Sequence, residues 1–198
     1  MERLKLYYLD NKYIDYLRKS DTRVAFNKNQ TRPYVGVVYS FNNFTYFAPL
    51  SSPKPKHLKM NARNIDIFKI KDGTLGIVNL NNMIPVPQES LIDFISSVTD
   101  PKYRALLNGQ ITELNKNRKY LFRKVEIFQK SYRNNMLPQN VFDRTCNFNL
   151  LEEKCLDYQR ENFMATEQTN NMQNYCNKIY EKEIDNTCVS TLEDTLEK

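Results

Sequence analysis

The sequence predicts an α+β fold: a strongly bent antiparallel sheet or open barrel in the first half, then helices, one of them long and basic. Three observations carry that prediction. Residues 32–86 hold β-branched and aromatic runs punctuated by turn dipeptides, the pattern of short paired strands. Residues 88–163 repeat apolar side chains at helical spacing. The middle of that second half carries cations on the faces its apolar stripe leaves free.

Each element follows in chain order. Residues 11–20, NKYIDYLRKS, read as a short helix: Asn11 can cap it, and Tyr13, Ile14 and Leu17 share one face. RPYVGVVYSF and FTYFAPL flank the turn dipeptide Asn42-Asn43 and read as a hairpin. Gly36 inside the first run marks a bulge or a close backbone approach. In NIDIFKIKDGTLGIVNL, Ile65, Ile67 and Lys69 alternate, Asp72-Gly73 supplies a tight turn, and Leu75–Leu80 returns as a strand. MIPV adds a short extended piece before Pro87. Four or five strands of this length on short turns suit a bent sheet or open barrel.

Helices then take over. QESLIDFISSV places Leu91, Ile95 and Val98 on one helical face. Asp100 before Pro101 is an N-cap with proline at the first helical position. Ile111, Leu114, Leu121, Val125, Phe128 and Tyr132 form one stripe that skips Arg118, predicting a helix of about six turns. Its other faces carry Lys116, Lys119, Arg123 and Lys124. After NMLPQN, CNFNLLEEKCLDYQRENF resumes the helical pattern, with Asn149 and Glu152 spaced as a capping box. Periodicity fades beyond Phe163.

At 198 residues and 23.6 kDa the chain is expected to hold one domain over 1–163 and an acidic extension over 164–198. No apolar run approaches the roughly 18–20 residues a membrane helix needs. The opening MERLKLYYLD puts charges where a signal peptide requires an apolar stretch, so the cytoplasm is the expected location. Cysteines 146, 155, 176 and 188 form no C-x-x-C pair, and His57 is the one imidazole. No zinc site, no other metal and no cofactor is therefore expected, and the thiols read as reduced.

Charge gives the first indication of function. Residues 161–198 hold 8 acidic against 3 basic side chains, a net −5, so residues 1–160 carry +11. A basic body of that strength points to a polyanion, nucleic acid foremost. From Thr22 to Ile65 there is no Asp or Glu, while Arg23, Lys28, Arg32, Lys54, Lys56, Lys59 and Arg63 fall inside the window.

Within that window stands YFAPLSSPKPKH. Prolines 49, 53 and 55 stiffen the exit from the hairpin. Ser51 and Ser52 offer hydroxyls to a phosphate or a ribose. Lys54, Lys56 and Lys59 add positive charge, and His57 can titrate near neutrality. The plain alternative is a rigid, soluble turn. No G-x-S-x-G elbow supports a serine hydrolase, and the window offers no clustered carboxylates for a two-metal nuclease. RNA fits such a set, because its 2′-hydroxyl is its own nucleophile. Lysine and serine donors would stabilise phosphate charge, while His57, a lysine or a tyrosine moves protons. The products would be a 2′,3′-cyclic phosphate and a 5′-hydroxyl.

Four stretches, KYIDYLRKSDTRV, RPYVGVV with YFAPLSSPKPKH, LGIVNLNNMIPV and TCNFNLLEEK, together resemble the endoribonuclease toxins of type III toxin–antitoxin systems, the ToxN/AbiQ family. They span residues 12–154 in the family's order. The resemblance implies a bent antiparallel sheet similar to the MazF/Kid barrel, surrounded by helices, and RNA cleavage without metal. It also implies inhibition by a small structured RNA, a pseudoknot cut from repeats by the toxin itself, in closed toxin–RNA assemblies.

The family's active-site motif falls on Ser51, Ser52 and Lys54, and its active-site tyrosine on Tyr13, which otherwise reads as a core residue of the first helix. Pro55-Lys56 departs from members that place an aromatic after the lysine. Arg32, Tyr34, Lys56 and Lys59, with Lys116, Lys119, Arg123 and Lys124 on the basic helix, are expected RNA contacts. The expected partners are that antitoxin RNA and cellular or phage RNA substrates, with no membrane. A non-catalytic RNA-binding regulator is the alternative. Among His57, Lys56 and Tyr13 the proton carrier stays open.

Overall fold

The computed structural model of the protein describes residues 3–28, 31–93, 98–164, 167–168 and 172. Its first compact unit ends at Cys155, and the chain from Leu156 onward falls outside that unit. Most of the expected 164–198 extension lies outside the described residues. No described helix is long and apolar enough to cross a membrane.

The first unit is an open, seven-stranded antiparallel sheet with helices packed on it. Lys5–Leu9 forms β1, which no periodicity announces: Leu6 and Leu9 are buried, three residues apart. Asn11–Ser20 forms α1 and buries Tyr13, Ile14 and Leu17 as the spacing predicts. Its cap is Asp10 and not Asn11, for the Asp10 carboxylate accepts from the Lys12 N–H. Tyr34–Phe41 (β2) and Phe44–Ser51 (β3) form the expected hairpin. Asn42 and Asn43 both hold positive φ, the backbone a two-residue hairpin turn requires.

Gly36 does both things the sequence allows. The β2–β3 register shifts between Val35 and Tyr39, and a Cβ on Gly36 would stand 2.0 Å from the Phe47 ring. That ring takes the place of the missing side chain and meets Tyr7 edge-on at 5.4 Å.

β3 is the hub of the sheet. One edge pairs with β2 along most of its length. The other edge is shared: Tyr46 and Phe47 pair with β6 (Ile84–Pro85), whereas Leu50 and Ser51 pair with β5 (Ile77–Asn79). β5 continues to β4 (Ile67–Lys69), so the order is β4-β5-β3-β2-β1-β7, the last being Leu91–Asp93. Pro55–Lys59, between β3 and β4, is the short helix α2.

Two of the expected helices also need correction. Residues 88–98 do not form one helix. Leu91–Asp93 is β7, which pairs antiparallel with β1, and Asp10 donates to the Ser90 carbonyl at 3.0 Å. The open edge of β1 needs a hydrogen-bonding partner, and that tertiary demand outweighs a short ambiguous period. Ile95 lies outside the described residues, whereas Val98 is buried.

The six-turn helix is in fact two helices, α3 (Pro101–Lys116) and α4 (Arg118–Arg133), joined at Asn117. The Asn117 amide donates to the Glu113 carbonyl at 3.1 Å and to Glu113 Oε1 at 2.6 Å. Such a side chain competes with the helical backbone for its own acceptors.

Gln139–Phe142 forms α5, and residues 148–164 form α6. Asn147 caps α6 by accepting from Leu150 N, so the Asn149–Glu152 box does not form. Glu152 instead accepts from Tyr46 Oη at 2.6 Å and from Arg133 at 2.7 Å, tying α6 and α4 to β3. The core between them is aromatic: Phe148 packs against Tyr46, Phe128 and Tyr132.

Gly76 sets the approach of β5 to β3. Its φ is +97°, and a Cβ there would stand 2.0 Å from the Ser51 carbonyl oxygen. Gly76→Ala is expected to lower unfolding free energy by at least ~2 kcal/mol, read as a shifted urea midpoint at constant slope.

Candidate active site

The end of β3 places the serines. Ser51 is its last residue, held by the Ile77 pairing. Its Oγ accepts a hydrogen bond from Asn79 Nδ2 at 3.0 Å, and the same amide donates to the Pro49 carbonyl at 3.1 Å. The Ser51 hydroxyl hydrogen is thereby left available as a donor. Pro55 follows at the first position of α2 and drives Lys54 into extended backbone, φ −142° and ψ 148°. Ser52 and Lys54 are exposed.

Ser51, Ser52 and Lys54 line one cleft of about 430 Å³ with Lys28, Thr31, Arg32, Pro33, Leu50 and Tyr103. Arg32 is anchored through Nε to the Phe26 carbonyl at 2.7 Å, with Nη1 3.5 Å from the Leu50 carbonyl. Thr31 Oγ1 donates to the Lys28 carbonyl at 2.7 Å and so ties Lys28 to the residue beside Arg32. The cleft thus gathers two hydroxyl-bearing serines and three cations, with no carboxylate in its described lining. Such a surface attracts phosphate.

Other residues singled out from the sequence lie elsewhere. Tyr13 is 0 % exposed and its hydroxyl donates to the Pro85 carbonyl at 2.6 Å, so it is a core residue of α1 that no nucleic acid touches in this conformation. Tyr34 is equally buried, 3.4 Å from the Ala25 carbonyl, and burial raises its phenol pKa. His57 is 1 % exposed, and its Nδ1 has no hydrogen-bond partner. Burial, then the charges of Lys56 and Lys54, hold its pKa below the ordinary imidazole value. It is a neutral ring behind the loop and not a group in the cleft.

Lys56 and Lys59 are exposed on α2, outside the cleft lining. On the basic helices Lys116, Lys119 and Arg123 are exposed. Lys124 differs: its Nζ donates to the Ala62 carbonyl at 2.8 Å, and burial lowers its pKa. It ties α4 to the loop after α2. Tyr103, Thr31 and Asn79 enter the site without any local signal in the sequence, because each reaches it from a different element.

A sequence profile of the family described as toxin ToxN, type III toxin–antitoxin system, matches residues 5–156. The chain belongs to the ToxN family. An endoribonuclease ToxN from Bacillus thuringiensis subsp. kurstaki is 34 % identical over 163 residues, 78 % of this chain and 84 % of that relative. The solved structure of AbiQ, a lactococcal anti-phage endoribonuclease of a type III toxin–antitoxin system, matches with a TM-score of 0.70 and 28 % identity. The match covers 80 % of this chain and 99 % of AbiQ. A second solved structure, of a type III system whose toxin is selectively inhibited by a non-coding RNA pseudoknot, matches with a TM-score of 0.66. Identity there is 33 %, over 80 % of this chain and 99 % of the other. The ToxN-family fold and the open sheet described above agree.

His57 gives a direct check, because it is the chain's one imidazole and yields a single ring signal by NMR. Its midpoint is expected below the ~6.5 of a free histidine. The unfolded chain then binds the extra proton first, so the contribution of His57 to stability is complete above that value and declines as pH falls through the window beneath it.

Proposed function

We propose that this ToxN-family chain is an endoribonuclease toxin of an anti-phage type III system, cutting RNA by transesterification without a metal ion. The ribose 2′-oxygen bonds to the adjacent phosphorus and the bond from phosphorus to the 5′-oxygen breaks. The 2′-hydroxyl proton goes to a base and the leaving oxygen gains one, giving 2′,3′-cyclic phosphate and 5′-hydroxyl ends.

One observation carries the reading: Ser51, Ser52 and Lys54 converge with Arg32 and Lys28 in an open cleft lined by no described carboxylate. A metal-assisted nuclease places its ions on carboxylates, whereas this donor set is built to meet phosphate directly. Lys54 and Arg32 supply charge to the non-bridging oxygens as negative charge grows there. Ser51, oriented by Asn79, and Ser52 hold the scissile group in line. Of the three proton carriers expected from sequence, Tyr13 and His57 are buried and Lys56 is exposed. None of the three lines the cleft.

The inhibitor is a small repeat-derived RNA that the toxin itself processes and holds in a closed assembly. Support comes from the pseudoknot-inhibited toxin at 33 % identity and from the exposed Lys116, Lys119 and Arg123. The salt dependence typical of phosphate contacts would mark that interface.

The decisive measurement is cleavage of RNA in EDTA with analysis of the ends. Persistent cutting with cyclic-phosphate termini is expected, and Lys54→Ala should slow it ~10²–10³-fold, the range for losing one transition-state donor. Ser51→Ala should slow it by at least ~10-fold. Tight RNA binding without scission would leave a non-catalytic regulator instead.

A further inference from the structure

Tyr103 stands in the cleft without a role in the chemistry so far described. It lies in the first turn of α3, which is fixed by the Asp100 carboxylate on Lys102 N at 2.9 Å and by Pro101. The phenol reaches the cleft from the side of α3, whereas Ser51, Ser52 and Lys54 come from the exit of β3. Its oxygen accepts a hydrogen bond from the Tyr8 hydroxyl on β1. Its own hydrogen faces the Thr31 carbonyl at 3.4 Å, the weak end of hydrogen-bond distances.

A hydroxyl that already accepts one bond is a better donor, and here its acceptor is poor. Burial raises the pKa of both phenols, Tyr8 to about 12, so Tyr103 is a neutral phenol near neutral pH. The group is therefore a neutral, directional donor beside Arg32, Lys28 and Lys54, where a phosphate oxygen would be drawn by charge. Cations alone attract the backbone without fixing its rotation. A short donor on the α3 side adds the second direction that an in-line attack requires.

We propose that Tyr103 is a phosphate-binding residue of this cleft, donating to an oxygen of the RNA backbone in place of Thr31, and that Tyr8 is the positioning residue behind it. The inference rests on the RNA-cutting reading for its substrate. Tyr8 acts through Tyr103, since its hydroxyl fixes the phenol and is absent from the cleft lining.

The test uses the full chain, a mixed-sequence oligoribonucleotide pool, and the same pool with 2′-deoxy riboses that cannot cyclise. Tyr103→Phe keeps the ring and removes the donor. It should lower kcat/KM by ~10-fold or more and weaken binding of the deoxy pool by a similar factor, with the melting temperature unchanged. Tyr8→Phe should cause a smaller loss that disappears in the Tyr103→Phe background, which a merely structural role for Tyr8 would not produce. Parental cutting and binding by Tyr103→Phe would overturn the proposal, and full additivity of the two losses would overturn the role of Tyr8. Should the parent protein fail to cut RNA at all, the catalytic reading falls. The deoxy-pool affinities then decide Tyr103 by themselves: a ~10-fold loss supports it and equal affinity rejects it.

Discussion

The amide of Asn79 holds the site together. Its Nδ2 donates to the Pro49 carbonyl and to Ser51 Oγ, at 3.1 and 3.0 Å, where β3 passes from one neighbour to another. Upstream of that point β3 pairs with β6; at Leu50 and Ser51 it pairs with β5. A carbonyl left between two ladders would lose its hydrogen bond, and an unmade buried bond costs more than an ordinary one contributes. Asn79 satisfies that acceptor and fixes the serine two residues on. The bend of the sheet and the orientation of the hydroxyl are therefore one arrangement. Gly76 permits it, since any Cβ would strike the Ser51 carbonyl.

Charge is sorted by the same fold. Among the described residues of the first unit, three arginines are bound to largely buried carboxylates: Arg23 to Asp21, Arg144 to Asp66 and Arg133 to Glu152. None of those carboxylates lines the Ser51 cleft. Lys28, Arg32 and Lys54 meet there with no carboxylate in the described lining to cancel them, so their field is directed at an incoming anion. The acid-free run from Thr22 to Ile65 has its consequence at this point, because Lys28, Arg32 and the exit of β3 all belong to it.

Legibility in the sequence varied with the range of the forces involved. The Asn42-Asn43 hairpin, the α1 face, the Asp100-Pro101 helix start and the stiff serine–lysine exit are local, and each was readable from neighbouring residues. β1 and β7 were not readable. Each has three residues paired to the other, and their pairing joins Tyr7–Leu9 to Leu91–Asp93. A strand that short carries too little alternation to identify itself. Asn117 shows the reverse case: a good apolar stripe ran through it, but a side chain competing for the Glu113 carbonyl ended the helix there.

The tyrosines separate what the chain alone determines from what folding decides. The sequence determined that Tyr13 sits on the apolar face of α1, that Ser51, Ser52 and Lys54 leave a proline-stiffened strand, and that acids are absent around them. Spacing tells which face of an element is buried, because that depends on residues a few positions away. It does not tell which phenol reaches a given cleft, because that depends on how distant elements pack. Tertiary structure placed Tyr13 against Pro85 and brought Tyr103, 52 residues beyond Ser51, to the serines. The physical reason is that the α3 cap is written beside Tyr103 at Asp100-Pro101, whereas the end of β3 that it meets lies about fifty positions earlier in the chain.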